Sequence, residues 1–199
     1  MKTRIIFVRY GETLHNVKKL VQGHIPGKLS KLGMLQAKKV GERLKDEKID
    51  IIFVSDLNRT KKTAQEIIRY HKDTPVMYDE RIRERNYARY EGKPSIHLRI
   101  ATSKSKKEYI YFRPKGGESE FDVTLRSKKF FTEILNKYRR KNILIVSYGG
   151  FIRITLMHML NESNDNYKKY IQSNTGISII EINDKKIRLK KLNCTKHLK

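Results

Sequence analysis

One cysteine, a shortage of acids and the lack of any long apolar run bound what this chain can be. Cys194 stands alone, so it can form no internal disulfide and has no neighbouring thiol with which to share a zinc ion. That suits a reducing compartment, and the expected location is cytoplasmic. No apolar run approaches the roughly 18 residues that cross a bilayer, and the opening MKTRIIFVRY holds too short an apolar segment for a secretory signal. No membrane role is expected. Nor does any group of His, Asp and Glu show metal-ligand spacing, so neither a metal nor another cofactor is expected. The 21 acidic residues face 45 lysines and arginines, which leaves a net charge of +24. Such a balance favours anionic partners without choosing among nucleic acid, acidic surfaces and phosphorylated small molecules. The lysines are scattered over nearly every helix face, so a solvated basic surface stands beside a functional one as an explanation. The densest basic stretch, KKIRLKKLNCTKHLK from Lys185, alternates Ile187, Leu189 and Leu192 with charge, a pattern that predicts an edge strand and a frayed tail.

What is present is a regular alternation. A chain of 199 residues with 38% hydrophobic content can bury one full core and predicts a single domain over 1–199. Apolar runs of strand length lie at Thr3 to Val8, Ile49 to Val54, Pro75 to Tyr78 and Asn142 to Ser147. Between them run helix-period segments near Gly33 to Glu47, Asn58 to Tyr70 and Glu118 to Tyr138, with another at Phe151 to Leu160. Two last strands, about Ile177 to Ile182 and Lys186 to Leu192, flank an Asn183-Asp184 turn. Residues 93–117, with Pro94, Pro114, Gly116, Gly117 and many lysines, predict a cap-like surface excursion rather than a core element. The fold class expected is α/β, a three-layer α/β/α sandwich with a mainly parallel central sheet and a small cap insertion.

In such sheets the ligand site lies beyond the carboxyl ends of the strands. Two apolar strands there end alike, in FVRYGET (Phe7 to Thr13) and VSYGG (Val146 to Gly150), each with a tyrosine followed by glycine. Arg9 sits beside Tyr10, Arg59 opens the helix after the second strand, and Glu84 follows the third. Two forked guanidiniums, backbone N–H groups at glycine turns and one carboxylate describe a phosphate pocket with a potential proton donor. The nucleophile is missing.

These residues resemble the histidine phosphatase superfamily, the phosphoglycerate-mutase-like fold, over nearly the whole chain. Five blocks carry the likeness in order: Arg9-Tyr10-Gly11-Glu12-Thr13 with Asn16 and Gln22-Gly23; Ser55 to Ala64; Ile82-Arg83-Glu84 through Glu91-Gly92; Gly116 to Ser119; and Val146 to Arg153. The resemblance implies that Arg9 and Arg59, with Asn16 and Gly149, hold the phosphoryl group. It implies that Glu84 is the general acid, and that Gln22, Gly23 and His24 form the substrate rim. It also implies a nucleophilic histidine at position 10 and a second at 148, and tyrosine stands at both.

A phenol with pKa near 10 is a poor nucleophile at neutral pH, and an aryl phosphate ester resists hydrolysis. The first expectation is therefore an inactive or severely impaired phosphatase whose pocket binds a small phosphorylated or otherwise anionic ligand, the tyrosines acting as aromatic plugs. Two alternatives remain open. One is an active, metal-free phosphomonoesterase with a rearranged nucleophile, His15 or His24 being the nearest imidazoles in sequence. The other is a basic nucleic-acid-binding module.

Overall fold

A computed structural model describes residues 2–184 and 186–199; Lys185, the first residue of the basic tail, lies outside the described residues. Six strands, β1 (Thr3–Arg9), β2 (Ile51–Val54), β3 (Val76–Tyr78), β4 (Asn142–Ser147), β5 (Ile177–Asn183) and β6 (Lys186–Cys194), form one sheet in the order β3-β2-β4-β1-β5-β6. The first four run parallel, β5 runs antiparallel to β1, and β6 antiparallel to β5.

The parallel strands are continuous apolar runs because both faces of the sheet are covered. Side chains alternate between faces. Ile5, Phe7, Phe53, Ile143 and Ile145 pack against helices α5 (Glu120–Lys137) and α6 (Gly149–Met159) through Phe130, Phe131, Ile134 and Phe151. Ile6, Val8, Ile52, Leu144 and Val146 face α2 (Lys31–Leu44) and α3 (Asn58–Ile68) through Val40, Leu44, Ala64 and Ile67. Polar side chains set where helices begin. Ser30 caps α2 by accepting from the Gly33 N–H, and Ser119 with Asp122 forms a capping box at α5. A one-turn helix α1 (Leu14–Val17) is boxed in the same way by Thr13 and Asn16.

One segment adds detail to the sequence expectation and another departs from it. Residues 93–117 contain a nine-residue helix, α4 (Ser95–Ser103), with no buried residue, and a 3-10 turn at Tyr109–Tyr111. With no buried stripe to impose a period, and with proline and lysine on either side, that helix left no apolar signature. The end of the chain is also held rather than frayed. Residues Lys196–Leu198 form a 3-10 turn against α2, where the Lys39 ammonium donates to the Leu198 carbonyl at 3.2 Å. His197 is half-buried there, its Nε2 3.3 Å from Thr175 Oγ1.

Register decides what meets at the top of the sheet. Arg9 is the partner of Ser147 across β1 and β4, so the next residue of each strand, Tyr10 and Tyr148, leaves the sheet beside the other. The Tyr10 N–H donates to the Ser147 carbonyl at 3.1 Å and holds the two strand ends together.

Candidate functional site

Tyr10 and Tyr148 are both buried, with ring centroids 5.5 Å apart and planes tilted by 59°. The Tyr148 hydroxyl lies 3.1 Å from Ser55 Oγ and 3.2 Å from Thr60 Oγ1, while the Tyr10 hydroxyl accepts from Gln22 Nε2 at 3.2 Å. Each phenol is thus spent on neutral protein partners. Burial pushes the Tyr148 phenol up to about 12, against the opposing pull of the Arg59 charge and of its hydrogen bonds to Ser55 and Thr60.

Arg59 is fully buried. Its guanidinium carbon stands 5.1 Å from the Tyr10 ring centre and 4.6 Å from that of Tyr148, so both aromatic faces serve the cation. Its two terminal nitrogens donate to main-chain carbonyls, Nη2 to Gly23 at 2.6 Å and Nη1 to Ile25 at 3.0 Å. Arg9 lies 5.2 Å from the Tyr10 ring and donates from Nη1 to the Gln172 carbonyl at 2.6 Å. The Nε atoms of both arginines are buried without a hydrogen-bond partner. Among the described residues, neither arginine belongs to an ion pair. Two guanidiniums held by carbonyl dipoles and ring faces, without a carboxylate, leave positive charge that an anion would neutralise.

Glycines 149 and 150 allow the remaining groups to approach. A Cβ on Gly149 would stand 3.2 Å from Arg9 Cδ, and one on Gly150 only 2.4 Å from Glu84 Oε1. The Glu84 carboxylate accepts from the Gly150 N–H at 3.1 Å and the Arg85 N–H at 2.9 Å. It is therefore fixed at the start of α6, directly after Tyr148. His24 directs Nε2 to the Glu84 carbonyl at 2.8 Å, so that nitrogen carries the proton. Glu91 accepts from the N–H groups of His24 and Ile25 and folds residues 22–25 over Arg59. Gln22 and Gly23 are buried beneath that turn, and Asn16 uses its Oδ1 on the Thr13 N–H at 3.0 Å. Arg9, Tyr10, Gln22, Gly23, Arg59 and Tyr148 thus form one cluster. His24 and Gly150 link it to Glu84, and Asn16 stands at its edge.

Several contributors carry no catalytic signature in the sequence. Ser55 and Thr60 lie within a block already singled out, but Gln172 and Asn174, which donates to the Tyr10 carbonyl at 3.0 Å, do not. Arg126 on α5 donates to the carbonyls of Arg81 and Arg83 at 2.8 Å and of Glu84 at 3.0 Å, with Nε on Glu118 at 2.8 Å. One side chain thereby shapes the whole loop that presents Glu84. Among the described residues no group of His, Cys, Asp and Glu could hold a metal ion, and no helix is long and apolar enough to cross a membrane.

The Tyr148 environment has a measurable consequence. Between pH 10, the ordinary phenol value, and about 12, the folded chain keeps the Tyr148 proton while the unfolded chain loses it. The folded state binds more protons in that window, so stability is complete below it and falls as pH rises through it, by about 3 kcal/mol. Denaturant unfolding at about pH 9.5 and about pH 11.5 should show the native chain losing roughly 1.7 kcal/mol relative to Tyr148→Phe. An unchanged gap would mean that Tyr148 does not titrate there.

Comparison with known proteins gives one family. The sequence profile of the histidine phosphatase superfamily (branch 1) matches residues 5–195. The chain is 42% identical over 128 residues to the fructose-2,6-bisphosphatase TIGAR of Bos taurus, a match covering 62% of this chain and 47% of that protein. It therefore spans about half the length of this curated relative. Among solved structures, Bacillus stearothermophilus YhfR superposes with a TM-score of 0.89 at 26% identity, covering 99% of this chain and 100% of that one. A mutant of Entamoeba histolytica phosphoserine phosphatase, histidine replaced by alanine and solved in complex with phosphoserine, gives 0.85 at 26%, covering 98% and 99%.

Proposed function

The chain belongs to the histidine phosphatase superfamily, and from that footing we propose that it is an inactive or severely impaired phosphatase that binds a small phosphorylated or otherwise anionic ligand. Arg9 and Arg59, with Asn16 and the Gly149 N–H, take the anion. Tyr10 stands at the nucleophile position, Tyr148 at that of the second histidine, and Glu84 at that of the general acid. Gln22, Gly23 and His24 border the ligand, and residues 93–117 cap the single domain.

The observation that carries this reading is the pairing of two arginines that have no carboxylate partner with two phenols already hydrogen-bonded to the protein. Attack on phosphorus needs an unprotonated nucleophile aligned at about 3 to 3.5 Å. Tyr148, raised to about 12, is neutral at pH 7, which makes it a poor nucleophile and base there and a weaker proton donor than an imidazolium. Binding has no such requirement. The Entamoeba mutant lacks a histidine and still holds phosphoserine. His24 donates its Nε2–H to the Glu84 carbonyl, so the reading with a relocated nucleophile there would have to use Nδ1.

Orthovanadate at about 100 times its Kd should stabilise the native chain by roughly 2.7 kcal/mol, a rise of about 5 to 10 °C in Tm. Arg9→Gln should lose most of that rise. No shift with either vanadate or phosphate would sink the binding half of the proposal. Sustained turnover of an aryl phosphate that survives Tyr10→Phe would sink the other half.

A further inference from the structure

On the outer side of the loop that folds over Arg59, a cleft of about 660 Å³ lies between α2 and α3. Lys28 stands at its head, Lys31 and Lys38 line the α2 wall, and Lys62 lines the α3 wall. All four lysines are exposed or nearly so, and among the described residues none belongs to an ion pair. The acid in the lining, Glu66, is already paired with Arg69 at 3.0 Å. Between the lysines the surface is apolar. Met34 and Leu35 are 51% and 50% exposed, although α2 buries Ala37, Val40 and Leu44 well enough without them.

Lys31, Met34, Leu35 and Lys38 follow one another at i, i+3, i+4 and i+7, so they share one stripe of α2, apolar in the middle and cationic at both ends. From this pattern we infer that the α2–α3 cleft is a docking site for an acidic amphipathic peptide segment of a partner protein, its apolar residues on Met34 and Leu35 and its carboxylates on Lys28, Lys31, Lys38 and Lys62. Charge complementarity selects the occupant: four unpaired ammonium groups face the cleft and no unpaired carboxylate does. Apolar side chains at helical spacing suit the apolar residues of a short helix or turn. Single-stranded nucleic acid fits less well, because neither an aromatic ring nor an arginine lines the cleft for bases to stack on. The cleft adjoins the anion cluster proposed above at Gly27, which lies against Gln22 and Arg59, but its four lysines are not members of that cluster.

The test uses the full chain and a fluorescent probe peptide of about 12 residues, glutamate and leucine arranged at helical spacing over about three turns. A glutamate-only peptide of equal length and an oligo-dT of similar charge serve as competitors, at about 0.15 M salt. The probe should bind with chemical-shift changes centred on Lys31 to Lys38 and Asn58 to Glu66. Lys38→Glu with Lys62→Glu should weaken it at least about tenfold. Lys129→Glu with Lys190→Glu, which changes net charge equally on other faces, should leave it within about twofold. The vanadate shift should survive in both double variants, which separates this site from the anion pocket. Equal weakening by the two pairs would overturn the proposal, because net charge alone would then attract the peptide. So would chemical-shift changes centred on Arg9 and Tyr10, or complete displacement of the probe by oligo-dT at equal charge.

Discussion

Replacing Tyr10 and Tyr148 together with histidine should give a chain that turns over a simple aryl phosphate at least about 10³-fold faster than the native protein, whose rate should be indistinguishable from background. The scale follows from what each imidazole contributes, since acid–base partners are worth on the order of 10² to 10⁴ in rate and a competent nucleophile more. The surrounding parts are in place. Arg9 and Arg59 are positioned, and Glu84 is fixed by the Gly150 and Arg85 N–H groups. Each single replacement should recover far less than its share, because groups that act as a unit fail together. Equal rates for native and doubly substituted protein would show that the defect lies elsewhere.

Loss of Arg126 should be the most damaging change in stability around the site. Arg126→Met removes donors from the carbonyls of Arg81, Arg83 and Glu84 and leaves the part-buried Glu118 carboxylate to the Asn86 N–H, at a cost of roughly 3 kcal/mol. Glu118 gives the change a pH signature. Burial pushes its carboxyl up, but the Arg126 hydrogen bond and charge outweigh this and hold it below the ordinary 4.5. A depressed carboxylate contributes stability above its unfolded pKa and loses it as pH falls through the folded value. The deficit of Arg126→Met should therefore be largest near neutral pH and shrink below about pH 4.5. A deficit independent of pH would assign the loss to packing alone. Denaturant unfolding at three pH values decides it.

The sequence made some of this legible and hid the rest for identifiable reasons. The runs Thr3 to Val8 and Asn142 to Ser147 announced buried parallel strands because both of their faces are covered. The glycines after Tyr10 and Tyr148 marked the strand ends because the Gly33 backbone lies against Gly11, Arg9 against Gly149 and Glu84 against Gly150, which leaves no room for a side chain. Tyrosine at both strand ends was visible, but their contact was not. It depends on β4 being the sheet neighbour of β1, which no local pattern encodes. Arg126 was hidden for a related reason. In a helix that also carries Lys128, Lys129 and Lys137 nothing local separates the arginine that gathers three carbonyls from the lysines facing water. Helix α4 packs no residue into the core, so hydrophobic periodicity had nothing to report. The role of Asn16 at a capping box was readable in principle from its place three residues after Thr13.

Arg59 keeps hold of the Gly23 and Ile25 carbonyls with the two nitrogens best suited to grip an anion. Each of those nitrogens carries two hydrogens, so one N–H of each is held by a carbonyl while its twin, together with the unpartnered Nε–H, is not. The turn at residues 23–25, itself tied down by the Glu91 carboxylate, therefore works as a bracket that fixes where the cation sits without using up its donors.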